Sequence, residues 1–490
     1  MDTIAVTSGG RVKGRTEGEV TAFLGIPYAA APVGEKAYRA PEPVSWDGVR
    51  DATVLGATVP QPGYEPPYDG LLSNPVIPGP DVLNVNVWTP GGSGLPVLVW
   101  FHGGAFRNGS NAVPEYDGTA FARDGVVLVG VNYRLGIQGF GVIPGAPSNR
   151  GLLDQVAALR WVQENIAAFG GDPDRVTIAG ESAGGMSVAT LMSIPAAKGL
   201  FRRAIVQSGS AGVAALADDA GAVSAEVAKR LGVEWSAAGL ASVGVDELIQ
   251  AQRLVAIEMR TKPDPARWGA STIAVGGGIM PVMPVIDNEL LFEVPLDAIA
   301  AGAAEGIGLL AGTTSDEFSF FTVPSGLAAA VTAEVLPHAL AGMGIPPEIT
   351  AAYVASRPEQ SPGEVLSGVI TDSIFTVPTI RLALAQRPHG ASYLYEFAWK
   401  SPLEGLGACH SLELAFMFDT LGTATSPLYG GVAPQELADD MHAVWVTFAT
   451  TGDPGWPAYD AEIRPVMTFN HPTSELIAAP RAAELAMWGV

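Results

Sequence analysis

The sequence predicts an α/β protein built on a central, mostly parallel β-sheet with helices on both faces. Short apolar runs rich in β-branched residues recur along the chain, and such runs are typical of strands that are buried on both faces. Helical patterns and glycine-bearing loops separate these runs, and strands that alternate with helices favour parallel pairing. A third observation is the pentapeptide G-E-S-A-G at 180–184, which directly follows one such strand and begins a helix.

The predicted elements follow one another in this pattern. Residues 4–28 are predicted to form short strands joined by glycine turns, and residues 29–80, rich in Pro and Gly, to form an ordered surface arm. A helix is predicted over 152–169, because apolar residues recur there at helical spacing and two glycines follow, where a helix commonly ends. Further strands are predicted at 82–88, 97–101, 126–133, 176–179, 204–207, 307–311 and 393–397.

Two Ala-rich stretches, residues 211–300 and 322–365, interrupt the series of strands. Their pattern is helical. We interpret them as helical insertions over the carboxyl edge of the sheet, where ligands bind in open α/β sheets. Residues 1–490 are accordingly predicted to form a single domain.

The composition is acidic, with a net charge of −23. A nucleic-acid groove or binding to an anionic membrane is not expected, because like charges would repel. Cys409 is the only cysteine, so the chain has no intrachain disulfide, and a thiolate-bound metal is not expected. The N-terminus lacks the basic and apolar regions of a signal peptide, and no charge-free apolar span reaches membrane length. We predict a cytoplasmic protein without stable membrane association, and favour a monomer.

The pentapeptide has the form of a nucleophile elbow, G-x-S-x-G. Gly180 and Gly184 are needed there, because side chains at these positions would collide with the neighbouring strand and helix. Ser182 would then project over the edge of the sheet. The N-terminus of the following helix would stabilise the oxyanion that forms when Ser182 attacks a carbonyl.

A serine nucleophile needs a general base oriented by a carboxylate, and on this elbow the chain order is Ser, acid, His. His102 precedes the serine and is expected to shape a glycine-rich loop. His410 is the preferred base, because it follows the strand at 393–397 and a glycine-bearing loop that can present an imidazole at the sheet edge. The other histidines are expected to be structural or solvated: His338, His389, His442 and His471.

Three carboxylates are candidates for the acid. Asp316 and Glu317 directly follow the strand at 307–311, and Asp372 lies in the segment I-T-D-S. Neighbouring residues point in different directions, so only one of the first two can orient His410. The pattern of residues does not choose among the three.

Backbone N–H groups can form an oxyanion hole from two segments. Gly104 and Ala105 lie in a glycine-rich loop after the strand at 97–101, and Ala183 follows the serine. Their small or missing side chains allow a carbonyl oxygen to approach closely.

These residues resemble the type-B carboxylesterase family, which includes cholinesterases and bacterial para-nitrobenzyl esterases. Residues 169–184 match its serine signature, and residues 23–29, F-L-G-I-P-Y-A, resemble its N-terminal element. Residues 81–88 resemble its second signature, although Val82 and Val59 stand where many members have disulfide cysteines. The segment S-N-R-G-L-L-D-Q at 148–155 looks most like actinobacterial members.

The resemblance implies an α/β-hydrolase fold and a serine carboxylesterase. It selects Glu317 as the acid and agrees with His410 as the base, although Phe318 stands where members commonly have glycine after the glutamate. It assigns the oxyanion hole to the three N–H groups named above, and it implies that Ser208 and Asp372 lie near the base.

We therefore predict hydrolysis of carboxylic esters of short to medium acyl chain, with bulky or aromatic alcohols, through an acyl-enzyme. An ester and water are the expected partners, and no metal or organic cofactor is needed. The alternatives are an amidase or carbamate hydrolase on the same fold, a non-catalytic cholinesterase-like binding protein, and a cysteine hydrolase that uses Cys409. Five aromatic residues are expected to lie either in the substrate pocket or in the core: Trp268, Phe318, Phe320, Phe321 and Phe375.

Overall fold

The computed structural model describes residues 2–276 and 279–490. Within them, thirteen strands form one sheet and two short strands form another. The strands are β1 (Asp2–Thr7), β2 (Gly10–Glu17), β3 (Val20–Pro27), β4 (Val49–Asp51), β5 (Asn84–Thr89), β6 (Leu95–Phe101), β7 (Val127–Val131), β8 (Gly171–Glu181), β9 (Arg203–Gln207), β10 (Ala215–Leu216), β11 (Val285–Ile286), β12 (Gly308–Thr314), β13 (Ser392–Phe397), β14 (Pro465–Phe469) and β15 (Glu475–Ala478).

From β6 to β14, helices fill every connection between consecutive strands except that between β9 and β10. The helices are α1 (Thr119–Arg123), α2 (Gly136–Phe140), α3 (Arg150–Asn165), α4 (Ala183–Ser193), α5 (Ala217–Leu231), α6 (Ala237–Ala241), α7 (Val245–Thr261), α8 (Pro265–Trp268), α9 (Ala270–Gly276), α10 (Pro295–Ala300), α11 (Ser319–Thr322), α12 (Leu327–Ala330), α13 (Val335–Gly342), α14 (Pro347–Ser356), α15 (Pro362–Thr371), α16 (Val377–Gln386), α17 (Leu414–Met417), α18 (Gln435–Thr451) and α19 (Ala482–Ala486).

The large sheet is parallel at its centre and antiparallel at its ends. Its strand order is β1-β2-β3-β5-β7-β6-β8-β9-β12-β13-β14-β15, with β4 paired to β2. Every pair from β7 to β14 is parallel, whereas β1, β2, β3 and β5 pair antiparallel and join β7 antiparallel, and β15 is antiparallel to β14. The predicted mostly parallel sheet is thus confirmed.

Both faces of the central strands are buried, as β6 illustrates. Val97 and Val99 belong to a core cluster that includes residues of α3 and α4. Leu98 and Trp100 belong to a second cluster, which includes residues of α18. All four side chains are fully buried. Alternate residues of a strand point to opposite faces, so helices on both sides are needed to cover this continuous apolar run.

Several elements differ from the sequence prediction. The strand expected at 82–88 begins at Asn84, and β14 and β15 were not predicted. The range 211–300 contains the short strands β10 and β11 as well as helices. The organisation of the chain as one domain with helical insertions at 211–300 and 322–365 stays a prediction.

One long helix has an apolar composition. It runs from Pro362 to Gln386 and consists of α15, a π-helical turn at Asp372–Thr376, and α16. By length and hydropathy it could cross a membrane, but 61% of its most apolar window is buried inside the protein. Buried residues of α16 belong to the same core cluster as β6, which is how a core helix of a large α/β protein packs.

Five neighbouring strands end at the same edge of the sheet. They are β6, β8, β9, β12 and β13, which run parallel, so their carboxyl ends lie side by side. The loop at 102–109, Ser182, Ser208, Glu317 and the loop that carries His410 follow these strands in that order. The candidate site lies at this edge.

Candidate active site

The chain turns sharply at Ser182, between β8 and α4. Ser182 has φ 55° and ψ −123°, a conformation that residues with side chains rarely adopt. Its N–H donates to the carbonyl of Gln207 on β9 at 2.9 Å. A Cβ at Gly180 would lie 2.5 Å from the carbonyl carbon of Gly184, and one at Gly184 would lie 2.0 Å from the carbonyl oxygen of Phe101. Glycine is therefore required at both positions, and the serine stays half-buried at the edge.

The glycine-rich loop after β6 lies against this turn. A Cβ at Gly103 would come within 3.2 Å of the Cβ of Ser182. Gly104 has φ 114° and Ala105 has φ 55°, so this loop backbone lies in the region that favours glycine. In the part of the chain that the structure describes, the N–H groups of Gly104, Ala105 and Ala183 donate no hydrogen bond. All three remain available to an oxygen bound beside the serine.

Glu317 holds the imidazole of His410. Its Oε2 lies 2.5 Å from Nδ1 of His410. Its Oε1 accepts hydrogen bonds from the N–H of Thr314 at 2.8 Å and from the hydroxyl of Ser208 at 2.5 Å. Glu317 is fully buried, and His410 is 5% exposed. The carboxylate is fixed with one oxygen toward the ring and the other toward its two donors.

Asp316 faces away from the imidazole. Its Oδ2 accepts hydrogen bonds from the N–H of Ala408 at 3.0 Å and from the hydroxyl of Ser315 at 2.9 Å. The same oxygen lies 2.5 Å from the place where a Cβ of Gly407 would be. Asp316 therefore anchors the loop that carries His410, while Glu317 contacts the ring.

Asp372 has other partners. It accepts a hydrogen bond from the hydroxyl of Tyr353 at 2.6 Å, and both its oxygens lie within 2.8 Å of Nη1 of Arg481. Among the described residues, no hydrogen bond joins it to His410 or Glu317. Asp372 begins the π-helical turn that also contains Phe375, whose ring centroid lies 4.9 Å from that of His410. Asp372 is thus linked to His410 only through this turn, whose Phe375 ring lies beside the imidazole.

A carboxylate that the sequence analysis did not single out lies at the other ring nitrogen. Oε1 of Glu181 is 3.2 Å from Nε2 of His410, and it accepts a hydrogen bond from the hydroxyl of Ser411 at 2.6 Å. Glu181 is 2% exposed. Its position inside the G-E-S-A-G elbow was a usable signal, because a residue next to the nucleophile at a strand end must lie close to the site.

Glu413 is a second carboxyl that the sequence analysis missed. It is fully buried, and one of its oxygens accepts a hydrogen bond from Nε2 of Gln207 at 3.1 Å. The indole N–H of Trp445 donates to Oε1 of Gln207 at 3.0 Å, which orients that amide toward Glu413. The other oxygen of Glu413 has no hydrogen-bond partner among the described residues. No motif marks this glutamate, and only the fold brings it near the site.

Aromatic side chains surround the imidazole. The ring centroids of Phe321 and Phe320 lie 5.5 and 6.5 Å from that of His410. Phe318 packs instead in a cluster with α13, α14 and α15. Trp268 is fully buried in the main core, and its N–H donates to the carbonyl of Lys262. Of the five aromatics considered from the sequence, Phe320, Phe321 and Phe375 lie beside His410. Four of the five belong to packed core clusters: Trp268, Phe318, Phe320 and Phe375.

Comparison with known proteins identifies the family of this chain. A model of the carboxylesterase family matches residues 1–488. The chain belongs to the carboxylesterase family. The para-nitrobenzyl esterase of Bacillus subtilis is 38% identical over 493 residues, which cover 95% of this carboxylesterase and 94% of that enzyme. The phenmedipham hydrolase of Pseudarthrobacter oxydans is 34% identical, with 96% of each chain covered.

Solved structures agree with this assignment. A carboxylesterase of Geobacillus stearothermophilus has a TM-score of 0.86 and 37% identity, and the match covers 99% of this chain and 100% of that one. A para-nitrobenzyl esterase structure has a TM-score of 0.83 and 35% identity, with 99% of each chain covered. The protein is thus a carboxylic ester hydrolase with the α/β-hydrolase fold.

Buried charges dominate the electrostatics of the carboxylesterase site. Burial would lower the pKa of His410, but the negative charges of Glu181 and Glu317 outweigh it and raise the pKa to about 9. Burial raises the pKa of Glu413 to about 8, and the charges of Glu181 and Glu317 act in the same direction. Burial also raises the pKa of Glu181, against the opposing effects of His410 and Ser411. The imidazolium form of His410 is therefore stabilised in the resting site.

The remaining candidates lie elsewhere in the carboxylesterase. His102 is buried in the glycine-rich loop, where its Nδ1 lies 2.8 Å from the carbonyl oxygen of Gly103 and its ring stacks on Tyr133. Burial lowers the pKa of His102 to about 4. Burial also raises the pKa of the Cys409 thiol, which disfavours a thiolate nucleophile. Within residues 2–276 and 279–490, no three His, Cys, Asp or Glu side chains are grouped so that they could hold a metal ion.

Proposed function

We propose that this carboxylesterase cleaves esters through Ser182 as nucleophile, His410 as general base and Glu317 as the acid that orients the base. The observation that carries the proposal is the 2.5 Å contact between Nδ1 of His410 and Oε2 of Glu317, at the sheet edge where the Ser182 elbow also lies. Neutral His410 takes the serine proton on Nε2, and the alkoxide attacks the ester carbonyl. The imidazolium then protonates the departing alcohol, and water repeats the sequence on the acyl-enzyme.

The oxyanion of each tetrahedral intermediate would accept hydrogen bonds from the N–H groups of Gly104, Ala105 and Ala183. The absence of other partners for these groups among the described residues supports this role. Ala183 is also the first residue of α4, so the positive end of the helix dipole adds to the stabilisation. Each donor is worth about 3 kcal/mol of the barrier. Ser208 would act indirectly, because its hydroxyl holds Glu317.

The proposed substrates are esters of short to medium acyl chain with bulky or aromatic alcohols. The aromatic residues around His410 support this choice, because apolar rings at the reacting centre favour an apolar substrate. The name of the Bacillus subtilis relative, a para-nitrobenzyl esterase, points to the same alcohol class.

The test is hydrolysis of para-nitrophenyl acetate, butyrate and octanoate by the purified protein and by Ser182→Ala, with the fold of both confirmed by circular dichroism. We expect the highest kcat/KM on a short or medium chain and no enzymatic rate in Ser182→Ala. A folded wild-type protein without activity would contradict the proposal, and so would a best rate on insoluble long-chain triglyceride.

A second candidate is hydrolysis of amides or carbamates at the same site. The 34% identity with a protein named phenmedipham hydrolase favours testing it. Phenmedipham and a para-nitroanilide of matched acyl chain would be compared with para-nitrophenyl butyrate. A higher kcat/KM on either of the first two would replace the ester preference.

We also propose that the enzyme acts as a cytoplasmic monomer without stable membrane association. Its net charge of −23 supports the last of these, since anionic membrane surfaces would repel it. Sedimentation velocity would test the oligomeric state, and fractionation of the native host would test the location and the membrane association. A dimer at low protein concentration, or activity in the membrane or extracellular fraction, would contradict them.

A further inference from the structure

A cavity lies beside the glycine-rich loop that precedes the elbow. None of the proposed triad residues lines it. Most of its wall is apolar and comes from the segment at 60–62, from α2 and the residue before it, and from α5 and α7. Representative wall residues are Pro60, Leu135, Val223, Val227, Leu248 and Val255.

Arg107 brings a charge into this apolar wall. Its side chain lines the cavity and is half-buried. Among the described residues, its guanidinium makes no hydrogen bond and no ion pair within 4 Å, and its Nε is buried without a partner. Burial lowers the pKa of Arg107. Because an anion stabilises a partly desolvated cation, Arg107 is a candidate contact for an anionic group of a ligand.

The surroundings of Arg107 are locally positive in a strongly acidic protein. Arg253 also lines the cavity, and its Nη1 lies 2.5 Å from Oε1 of Glu65. Its Nε is buried and has no partner among the described residues. Arg260 is close enough to lower the pKa of Arg107, whereas Glu65 and Tyr64 raise it. Among the described residues, Arg253 is the only one of these three arginines that has an ion pair.

The position of Arg107 ties the cavity to the reaction. Arg107 follows Ala105 by two residues, so their Cα atoms are at most about 7.6 Å apart. The Arg107 N–H donates to the carbonyl of Gly104 at 3.1 Å, and the Gly136 N–H, from the cavity wall, donates to the carbonyl of Phe106 at 2.8 Å. Arg107 therefore lies on the same short loop as two residues of the proposed oxyanion hole, Gly104 and Ala105.

We propose that this cavity binds the free carboxylate of ester substrates that carry a second acid group, such as half-esters of medium-chain dicarboxylic acids, with Arg107 as its ligand. The apolar wall takes the methylene chain, and the guanidinium takes the carboxylate in a charge-assisted hydrogen bond. This inference rests on the proposed function, because it names a substrate class for the same serine.

The experiment compares kcat/KM for an ester with a free carboxylate and for its neutral partner. The first pair is monomethyl suberate, which has its free carboxylate on the acyl side, and the neutral dimethyl suberate. The second pair is the butyrate ester of 6-hydroxyhexanoic acid, which has its free carboxylate on the alcohol side, and the neutral hexyl butyrate. The enzymes are the wild type, Arg107→Gln, Arg107→Lys, Glu65→Gln and Arg202→Gln. The last of these removes an exposed arginine far from the cavity and so matches the change in net charge.

In at least one of the two pairs, Arg107→Gln should lower the ratio of kcat/KM for the charged ester to kcat/KM for the neutral ester by about 10-fold or more, mainly through KM. Hydrogen bonds to charged groups are worth at least a factor of this size. Arg107→Lys should retain part of the ratio. Glu65→Gln should raise it, since it removes the competing carboxylate from Arg253. Arg202→Gln should leave it unchanged.

An unchanged ratio in Arg107→Gln for both pairs would overturn the proposal. An equal fall in Arg202→Gln would also overturn it, because net charge alone would then explain the effect. If the wild type cleaves none of the neutral esters, the proposed function fails instead, so the two failures are distinguishable. Circular dichroism of each variant shows whether it has folded, and the lysine and Glu65 variants still test the site if the glutamine variant has not.

Discussion

Oε1 of Glu181 lies 3.2 Å from Nε2 of His410, so the two ring nitrogens of the proposed base face two different buried carboxylates. In the proposed mechanism, Nε2 is the nitrogen that accepts the serine proton. Among the described residues, the hydroxyl of Ser182 makes no hydrogen bond to it. Glu181 therefore lies at the nitrogen that the proposed mechanism requires for the serine proton, and it stabilises the protonated imidazole, which cannot act as a base.

This relationship predicts an alkaline pH profile. The pKa of His410 is raised to about 9, and only its neutral form accepts a proton, so kcat/KM should increase as the pH rises toward that value. Glu181→Gln removes one of the three carboxylate charges that raise this pKa, and the midpoint should move to lower pH. The measurement is kcat/KM on para-nitrophenyl butyrate across neutral and alkaline pH, corrected for spontaneous hydrolysis. Glu404→Gln, an exposed glutamate near the same loop, is the control. A midpoint that stays in place or rises in Glu181→Gln would refute the electrostatic role.

The choice between the neighbouring acids can be tested directly. Glu317→Gln should lower kcat by roughly 10⁴-fold, because the amide would favour the wrong imidazole tautomer and would not stabilise the imidazolium. Asp316→Asn should lose less than about tenfold, since Asp316 bonds to the loop at Ala408 and not to the ring. The two variants have the same change in charge and shape, so each controls for the other. The reverse ranking of kcat would contradict the assignment of the acid.

The elbow has no room for a side chain at Gly184. A Cβ there would lie 2.0 Å from the carbonyl oxygen of Phe101, so β6 or α4 would have to move. Gly184→Ala should lower the free energy of unfolding by about 3 kcal/mol or more and abolish activity. Gly212→Ala is the control, because its new Cβ would meet nothing closer than the Ser210 hydroxyl at 3.4 Å. Urea denaturation and activity measure both effects, and a fully active Gly184→Ala would show that the elbow can accommodate a side chain at this position.

A buried ion pair beneath the site should be important for stability. Asp154 is fully buried and accepts hydrogen bonds from Nε, Nη2 and the backbone N–H of Arg134 at 2.7 to 3.0 Å. Asp154→Asn leaves a buried guanidinium without its anion, and the free energy of unfolding should fall by about 3–5 kcal/mol. Asp174→Asn, in an exposed pair with Arg202 at 3.6 Å, should change it by less than about 0.5 kcal/mol. Equal urea midpoints for the two variants would contradict the difference.

Strands with a strong local pattern could be predicted from the sequence, and weakly patterned ones could not. The run at 97–101 is continuously apolar, and β6 follows it closely. β14 begins at a proline and is only five residues long, so its pattern does not distinguish it from a loop. It becomes a strand because it pairs with β13. Such pairing depends on residues distant in sequence, which local periodicity does not contain.

Some residues of the candidate site could likewise be predicted from the sequence, and others could not. The serine elbow and the glycine-rich loop were recognisable, because their backbone conformations require glycine at set positions in the sequence. Glu181 and Glu413 were not, since neither belongs to a pattern that calls for a carboxylate there.

The sequence by itself determined the family, the parallel sheet and the position of Ser182 between a strand and a helix. These follow from short-range patterns and glycine positions, whose physical cause is steric and local. The family resemblance selected Glu317 as the acid, and only the tertiary structure decided that Asp316 anchors the loop and that Glu181 faces Nε2. Those contacts depend on the direction in which the chain leaves β12 and on the path of the loop after β13. Both are set by packing between segments that lie about a hundred residues or more apart in the chain.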